Sequence, residues 1–94
     1  MLFVALCTDK PGHLQTRLDN RADHLAFLGE HPQMVKLGGP FLSEQGEPNG
    51  SMIIIECADE AAAKAFFAQD PYARAGLFAS VEIKPWRHAT GTTL

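Results

Sequence analysis

No apolar run in this sequence approaches the roughly 20 residues that span a bilayer, so no membrane span is expected. Cysteine is scarce: Cys7 and Cys57 are the only two. Neither belongs to a CxxC pair or to zinc-ligand spacing, and the four histidines, His13, His24, His31 and His88, show no HExxH pattern. No resident metal is expected on this ground. The two thiols lie in apolar, strand-like runs and read as reduced, buried hydrophobes. An excess of positive charge is missing too. Eight Lys+Arg stand against eleven Asp+Glu, a formal net charge of −3. That balance lacks the electrostatic footprint of a nucleic-acid or anionic-membrane surface, so any anion site must be local. The first ten residues, Met1 to Lys10, lack the basic start of a signal peptide and read as a first strand. The expected location is therefore the cytoplasm.

What is present suffices for one domain. Ninety-four residues, 46% of them hydrophobic, support a single modest core. The domain is expected over residues 1–88, with 89–94 as a polar tail. Leu2 to Thr8 is read as the first strand, followed by a turn at Asp9-Lys10-Pro11-Gly12. A helix runs from there to about Glu30 and ends at His31-Pro32, because the residue before proline avoids the helical region. Met34 to Ser43 is a second strand. A polar loop from Glu44 to Gly50 ends in Asn49-Gly50, a hairpin signal, and leads to a third strand, Ser51 to Cys57. Asp59 is the expected N-cap of a second helix, with Ala63, Phe66 and Phe67 on its buried face and Asp70-Pro71 as its stop. Leu77 to Trp86 is the last strand. The order β-α-β-β-α-β is the split βαβ pattern, a four-stranded antiparallel sheet with two helices on one face. Strand alternation places Phe3, Phe78 and Trp86 on the uncovered face, and covering that face predicts a homodimer.

The first helix carries the chemistry. Leu14, Leu18, Ala22, Leu25 and Leu28 recur at three- and four-residue steps and mark an apolar stripe. At about 100° per residue, Arg21 falls within the stripe, and Arg17 and His24 lie along its edge. Two guanidinium groups beside one imidazole suit holding a carboxylate and moving a proton. The same residues also allow a plainer reading, in which both arginines snorkel to solvent and His24 is a half-exposed helix residue.

Several segments resemble those of YciI-like (YCII-related) proteins. Arg21-Ala22-Asp23-His24-Leu25-Ala26-Phe27-Leu28 is similar to that family's R-x-x-H-L helix segment. Gly39-Pro40-Phe41 resembles its glycine-proline strand, and Asp70-Pro71-Tyr72 with Ala75-Gly76-Leu77-Phe78 resembles its D-P-[YF]…A-G-L segment. The matches run in the family's order from about residue 2 to residue 86. The resemblance implies a ferredoxin-like fold that dimerises into an α+β barrel, and an active site built from His24 and Asp70. It further implies kinship with muconolactone isomerases and chloromuconolactone dehalogenases, which act on small unsaturated lactone acids, without carrying that substrate over.

Asp70 by itself reads as a helix stop at the C-terminal end of the second helix, where the dipole disfavours a carboxylate. Under the resemblance it orients His24 and raises its basicity. Gly38-Gly39-Pro40 is either a bulge or a place where a ligand approaches the backbone. Ser51 offers a hydroxyl to the same place, and Tyr72 a ring and a phenol. Two function classes follow. One is a cofactor-independent lyase, isomerase or dehalogenase acting on a small anionic molecule, with His24 as acid/base, Asp70 as orienter and Arg17 or Arg21 as clamp. Gly39, Pro40, Ser51 and Tyr72 complete its pocket. The other is a non-catalytic small-molecule binding module. Arg21 is the expected clamp, with Arg17 at the rim.

Overall fold

β1 (Leu2–Asp9) runs through the middle of the molecule in the computed structural model, which describes residues 1–94. It is followed by α1 (Leu14–Gly29), β2 (Val35–Leu42), β3 (Pro48–Glu56), α2 (Glu60–Ala68), a one-turn α3 (Pro71–Arg74) and β4 (Phe78–Trp86). The strands form one antiparallel sheet in the order β2-β3-β1-β4. That is the ferredoxin-like βαββαβ arrangement expected from the element order, with α3 as an addition. Asp59 caps α2 as expected, its side chain accepting from the Ala62 amide at 2.8 Å.

Alternation along β1 divides the sheet. Phe3, Ala5 and Cys7 face the helices and pack with Ile53 and Ile55 of β3 and with Ala63, Phe66 and Phe67 of α2. Leu2, Val4 and Leu6 point to the other face, with their neighbours Ile54, Met52 and Trp86. Two aromatics expected on that open face are therefore not there. Phe3 is in the core. Phe78 packs against the core and sets its edge against Tyr72, because the β1–β4 register shifts between Thr8 and Asp9. Trp86 alone of the three is on the open face.

The hairpin also differs from its expected form. The chain reverses at Ser43–Glu47, with Gly46 at φ +83° and the Ser43 amide donating to the Glu47 carbonyl at 2.8 Å. Asn49 and Gly50 lie inside β3. A Cβ on Gly50 would come 2.5 Å from the Cys7 carbonyl oxygen, so this glycine serves a close approach to β1 rather than a turn. Gly38-Gly39-Pro40 pairs in regular register with Ile53, Met52 and Ser51, and the irregularities in β2 flank it on both sides.

The largest departure is the rotation of α1. The expected inward stripe is partly turned out: Leu18 and Leu25 are 49% and 48% exposed. The helix buries Arg17 and His24 instead, with Phe27 and Leu28 packed against the core. The inward face lies roughly one residue step, ~100°, from the leucine stripe. The physical reason is that both polar residues find partners inside, as their geometry makes plain.

Candidate functional site

Arg17 and His24 are seven residues apart on α1, two turns, so both point into the molecule from the same face. Arg17 meets the end of β1. Its Nε donates to Asp9 Oδ2 at 2.7 Å and its Nη2 to Asp9 Oδ1 at 2.9 Å, a bidentate fork. The two side chains are 4% and 6% exposed. Nη2 also donates to Ser51 Oγ on β3 at 2.9 Å, which leaves the Ser51 hydroxyl hydrogen free. Burial works against the Arg17 charge, but the hydrogen bonds and charge of Asp9 outweigh it and hold the guanidinium above its ordinary range. Arg17 is therefore not at the rim, as the leucine stripe suggested. Arg21, expected inside the stripe, is exposed and occupies the mouth.

His24 meets Asp70. Its Nδ1 lies 2.8 Å from Oδ1 and 2.9 Å from Oδ2, and both residues are buried. An ionised carboxylate only accepts, so Nδ1 carries the proton and the Nε2 lone pair is left in the neutral ring. The imidazole makes its hydrogen bonds through Nδ1, and no buried side-chain nitrogen or oxygen lacks a partner, so Nε2 opens into the adjoining pocket. Asp70 is not at a helix C-terminus in the sense expected. It caps the N-terminus of α3, with Oδ1 accepting from the Tyr72 amide at 2.9 Å, where the dipole and the amide favour its charge.

The Tyr72 ring joins the two pairs. It stacks on His24 with centroids 3.9 Å apart and planes 14° from parallel, and the Arg17 guanidinium carbon lies 4.6 Å from its centroid. Burial pushes the Tyr72 phenol up, against the pull of Arg17 and Arg21, so the hydroxyl stays protonated and able to donate.

These groups border a pocket of ≈ 150 Å³ between α1 and the β2–β3 edge. Arg17, Arg21, His24, Leu18, Leu25 and Leu28 line it from the helix, Gly38 to Pro40 from β2, Ser51 and Ile53 from β3, and Tyr72 from α3. Of the site residues singled out in the sequence, Arg17, Arg21, His24, Gly39, Pro40, Ser51 and Tyr72 line it, and Asp70 stands behind His24. Asp9 went unrecognised because Asp9-Lys10-Pro11-Gly12 reads as a turn. The available signal was Arg17 itself, a buried guanidinium that needs a carboxylate within reach. The leucines now turned outward supply the pocket's outer wall. No cluster of three His, Cys, Asp or Glu suits a metal, and no helix is long and apolar enough to cross a membrane.

Known proteins resemble this chain over most of its length. Residues 1–87 match the family model of the YCII-related domain. A protein of Haemophilus influenzae is 33% identical over 93% of this chain and 97% of its own. The protein YciI of Escherichia coli O6:H1 is 32% identical with the same coverage. The structure of 5-chloro-2-hydroxyhydroquinone dehydrochlorinase from Burkholderia phenoliruptrix AC1100, in complex with 2,5-dihydroxybenzoquinone, superposes with a TM-score of 0.87 at 36% identity, covering 95% of this chain and 96% of that one. An antibiotic biosynthesis monooxygenase at 16% identity and TM-score 0.59, covering 96% of this chain and 100% of its own, shares the fold alone.

Proposed function

Since the chain belongs to the YCII-related family, we propose that it is a cofactor-independent enzyme of the dehalogenase, lyase or isomerase type, acting on a small organic acid, lactone or acidic ring. The observation that carries the reading is the His24–Asp70 pair at 2.8 Å, with Nε2 open to a pocket bordered by Arg21, Ser51 and Tyr72. Support comes also from the dehydrochlorinase at 36% identity, which acts on a chlorinated hydroxyhydroquinone. The pocket's ≈ 150 Å³ suits one small ring, as a cavity of about that volume holds benzene elsewhere.

His24 is the general base and, once protonated, the general acid. Nε2 takes a hydroxyl proton from the substrate and returns it to the ring carbon that bears the chlorine, giving the keto tautomer. It then takes a second hydroxyl proton, the electron pair of that O–H bond moves into the ring system, and chloride leaves from the now tetrahedral carbon. The balance is loss of HCl, and His24 then returns its proton to water. With no halogen, return of the proton to a different atom gives isomerisation. Asp70 holds the Nδ1–H tautomer and faces the imidazolium as it forms. Arg21 draws in an anionic ligand, and Ser51 and Tyr72 donate to its oxygens. Gly39 and Pro40 shape the wall. The domain extends over residues 1–88 with 89–94 as a tail, and the protein works as a homodimer through its open sheet face, in the cytoplasm.

The test is chloride release from 5-chloro-2-hydroxyhydroquinone. Turnover by the wild type, lowered by about 10²-fold or more in His24→Ala, is the expected result. Retained turnover in folded His24→Ala would remove His24 from the chemistry. Ligand binding with no turnover of this substrate or of small unsaturated lactones would favour the binding-module reading.

A further inference from the structure

The pocket holds two arginines, but only one has charge to give. Arg17 is the deeper, yet its fork is closed on Asp9 at 2.7 and 2.9 Å, and both side chains are shut off from solvent. At that distance a +1 and a −1 charge look nearly like zero from a ligand's position. Behind His24 stands Asp70. Arg21 lines the same pocket from the exposed side of α1 and is in none of the chain's ion pairs. The charges of Asp9 and Arg17 cancel at contact distance, whereas Arg21 has no such partner and keeps its charge at the mouth. The remaining polar groups facing the cavity, the Ser51 and Tyr72 hydroxyls, are neutral donors.

Resting on the proposed reading of this pocket as the ligand site, we infer that Asp9 determines specificity by charge: it silences Arg17, so that the site takes singly rather than doubly charged small acids. Asp9 touches Arg17, not the ligand. It is a positioning residue in that it also holds the guanidinium against Ser51, whose oxygen accepts from Nη2. Arg17 becomes a rigid donor in a neutral unit, and Arg21 alone captures the anion. An Arg17 without Asp9 would offer a second full charge at the pocket floor, where a second ionised oxygen would find it.

The probes are 2,5-dihydroxybenzoquinone, with two ionisable hydroxyls, and 2-hydroxy-5-methoxybenzoquinone, with one. Their affinities are measured by titration calorimetry near neutral pH for the wild type, Asp9→Asn and the double variant Asp9→Asn/Arg17→Gln. Asp9→Asn should raise the affinity ratio of the doubly to the singly ionisable probe by about tenfold, the effect of one unscreened charge at a part-buried site. The double variant, which removes both charges, should restore the wild-type ratio to within about twofold. A structural role for Asp9 would weaken both probes alike. An unchanged ratio in folded Asp9→Asn would therefore overturn the inference. So would a double variant whose ratio falls well below the wild type, because Arg17 would then act on the ligand despite Asp9. If Asp9→Asn does not fold, Asp9→Ser takes its place, with the same expected rise and the same overturning result. Should the wild type bind neither probe, the ligand-site reading itself falls, and this inference with it.

Discussion

Arg17 and Arg21 lie one turn apart on α1, yet the structure gives them opposite lives. Arg17→Ala should leave Asp9 buried and unpaired, and loss of one partner of a buried pair costs about 3–5 kcal/mol. Urea unfolding should show that loss for Arg17→Ala and almost none for Arg21→Ala, whose side chain is exposed. Ligand affinity should respond in the reverse sense: Arg21→Ala keeps the fold and weakens a bound small anion by about 2 kcal/mol, the scale of one charge-assisted hydrogen bond. Equal affinity in calorimetry would return Arg21 to the role of a solvated surface residue. The thiols give a second contrast at this scale. Burial, then the charge of Asp70, pushes the Cys7 thiol up from 9.0 to about 12. The fold therefore prefers the protonated thiol. That preference is fully present below pH 9 and is lost as pH rises from there toward 12. The stability difference between wild type and Cys7→Ala should shrink by about 1.4 kcal/mol for each pH unit in this window, read by unfolding at several alkaline pH values. A difference that stays constant would mean that Cys7 loses its proton as readily in the native protein as in the unfolded chain, so that burial does not raise its thiol.

At the level of elements, the strands were legible and the helix face was not. β-branched runs such as Ile53-Ile54-Ile55 and the alternation of β1 follow directly from burial in a sheet, and the split βαβ order follows from their spacing. The leucines of α1 form a good amphipathic stripe, but the helix turns Arg17 and His24 inward because Asp9, Ser51 and Asp70 wait there. A stripe records where apolar surface lies. It does not record which polar residues find partners 34 or 46 positions away. Asp70 shows the same limit: a lone Asp-Pro is a stop signal, while α3 makes it a cap whose carboxylate also serves His24. Its pairing with His24 came from the family resemblance and not from local pattern. Gly50 was misread as a turn for a related reason, since its need is contact with β1. Gly50→Ala should therefore be more harmful than the turn substitution Gly46→Ala. A Cβ at 50 meets the Cys7 carbonyl oxygen at 2.5 Å, whereas one at 46 meets nothing within 4 Å and only suffers its positive φ. Thermal melts should order the two variants this way; a milder Gly50→Ala would mean that β1 and β3 can separate cheaply.

For the whole molecule, the unpartnered face of the sheet is the ground for expecting a dimer. Val4 and Ile54 at its centre are already buried by their neighbours, and around them lie Leu2, Leu6, Leu37 and Met52, half-buried, with Phe41 and Trp86 more exposed. The helices cover the other face, and a 94-residue chain has little further core to offer. An apolar sheet face of this kind is stable against a second sheet, and the face's fit to its own copy needs only a two-fold axis. The reason differs from the one the sequence suggested, since Phe3 and Phe78 are spent on the core and the aliphatic residues of β1 and β3 carry the surface. Glu82 and Lys84 share this face near the β4 edge and form an ion pair with one another at 3.1 Å, which tolerates partial burial at a rim better than a lone charge would. Sedimentation equilibrium should accordingly find a dimer at micromolar concentration. Ile54→Glu, a charge at the centre of the face, should split it, while Val81→Glu on the helix side of the β4 edge should leave it intact. If the wild type sediments as a stable monomer, or if both variants remain dimeric, the open face is not the interface.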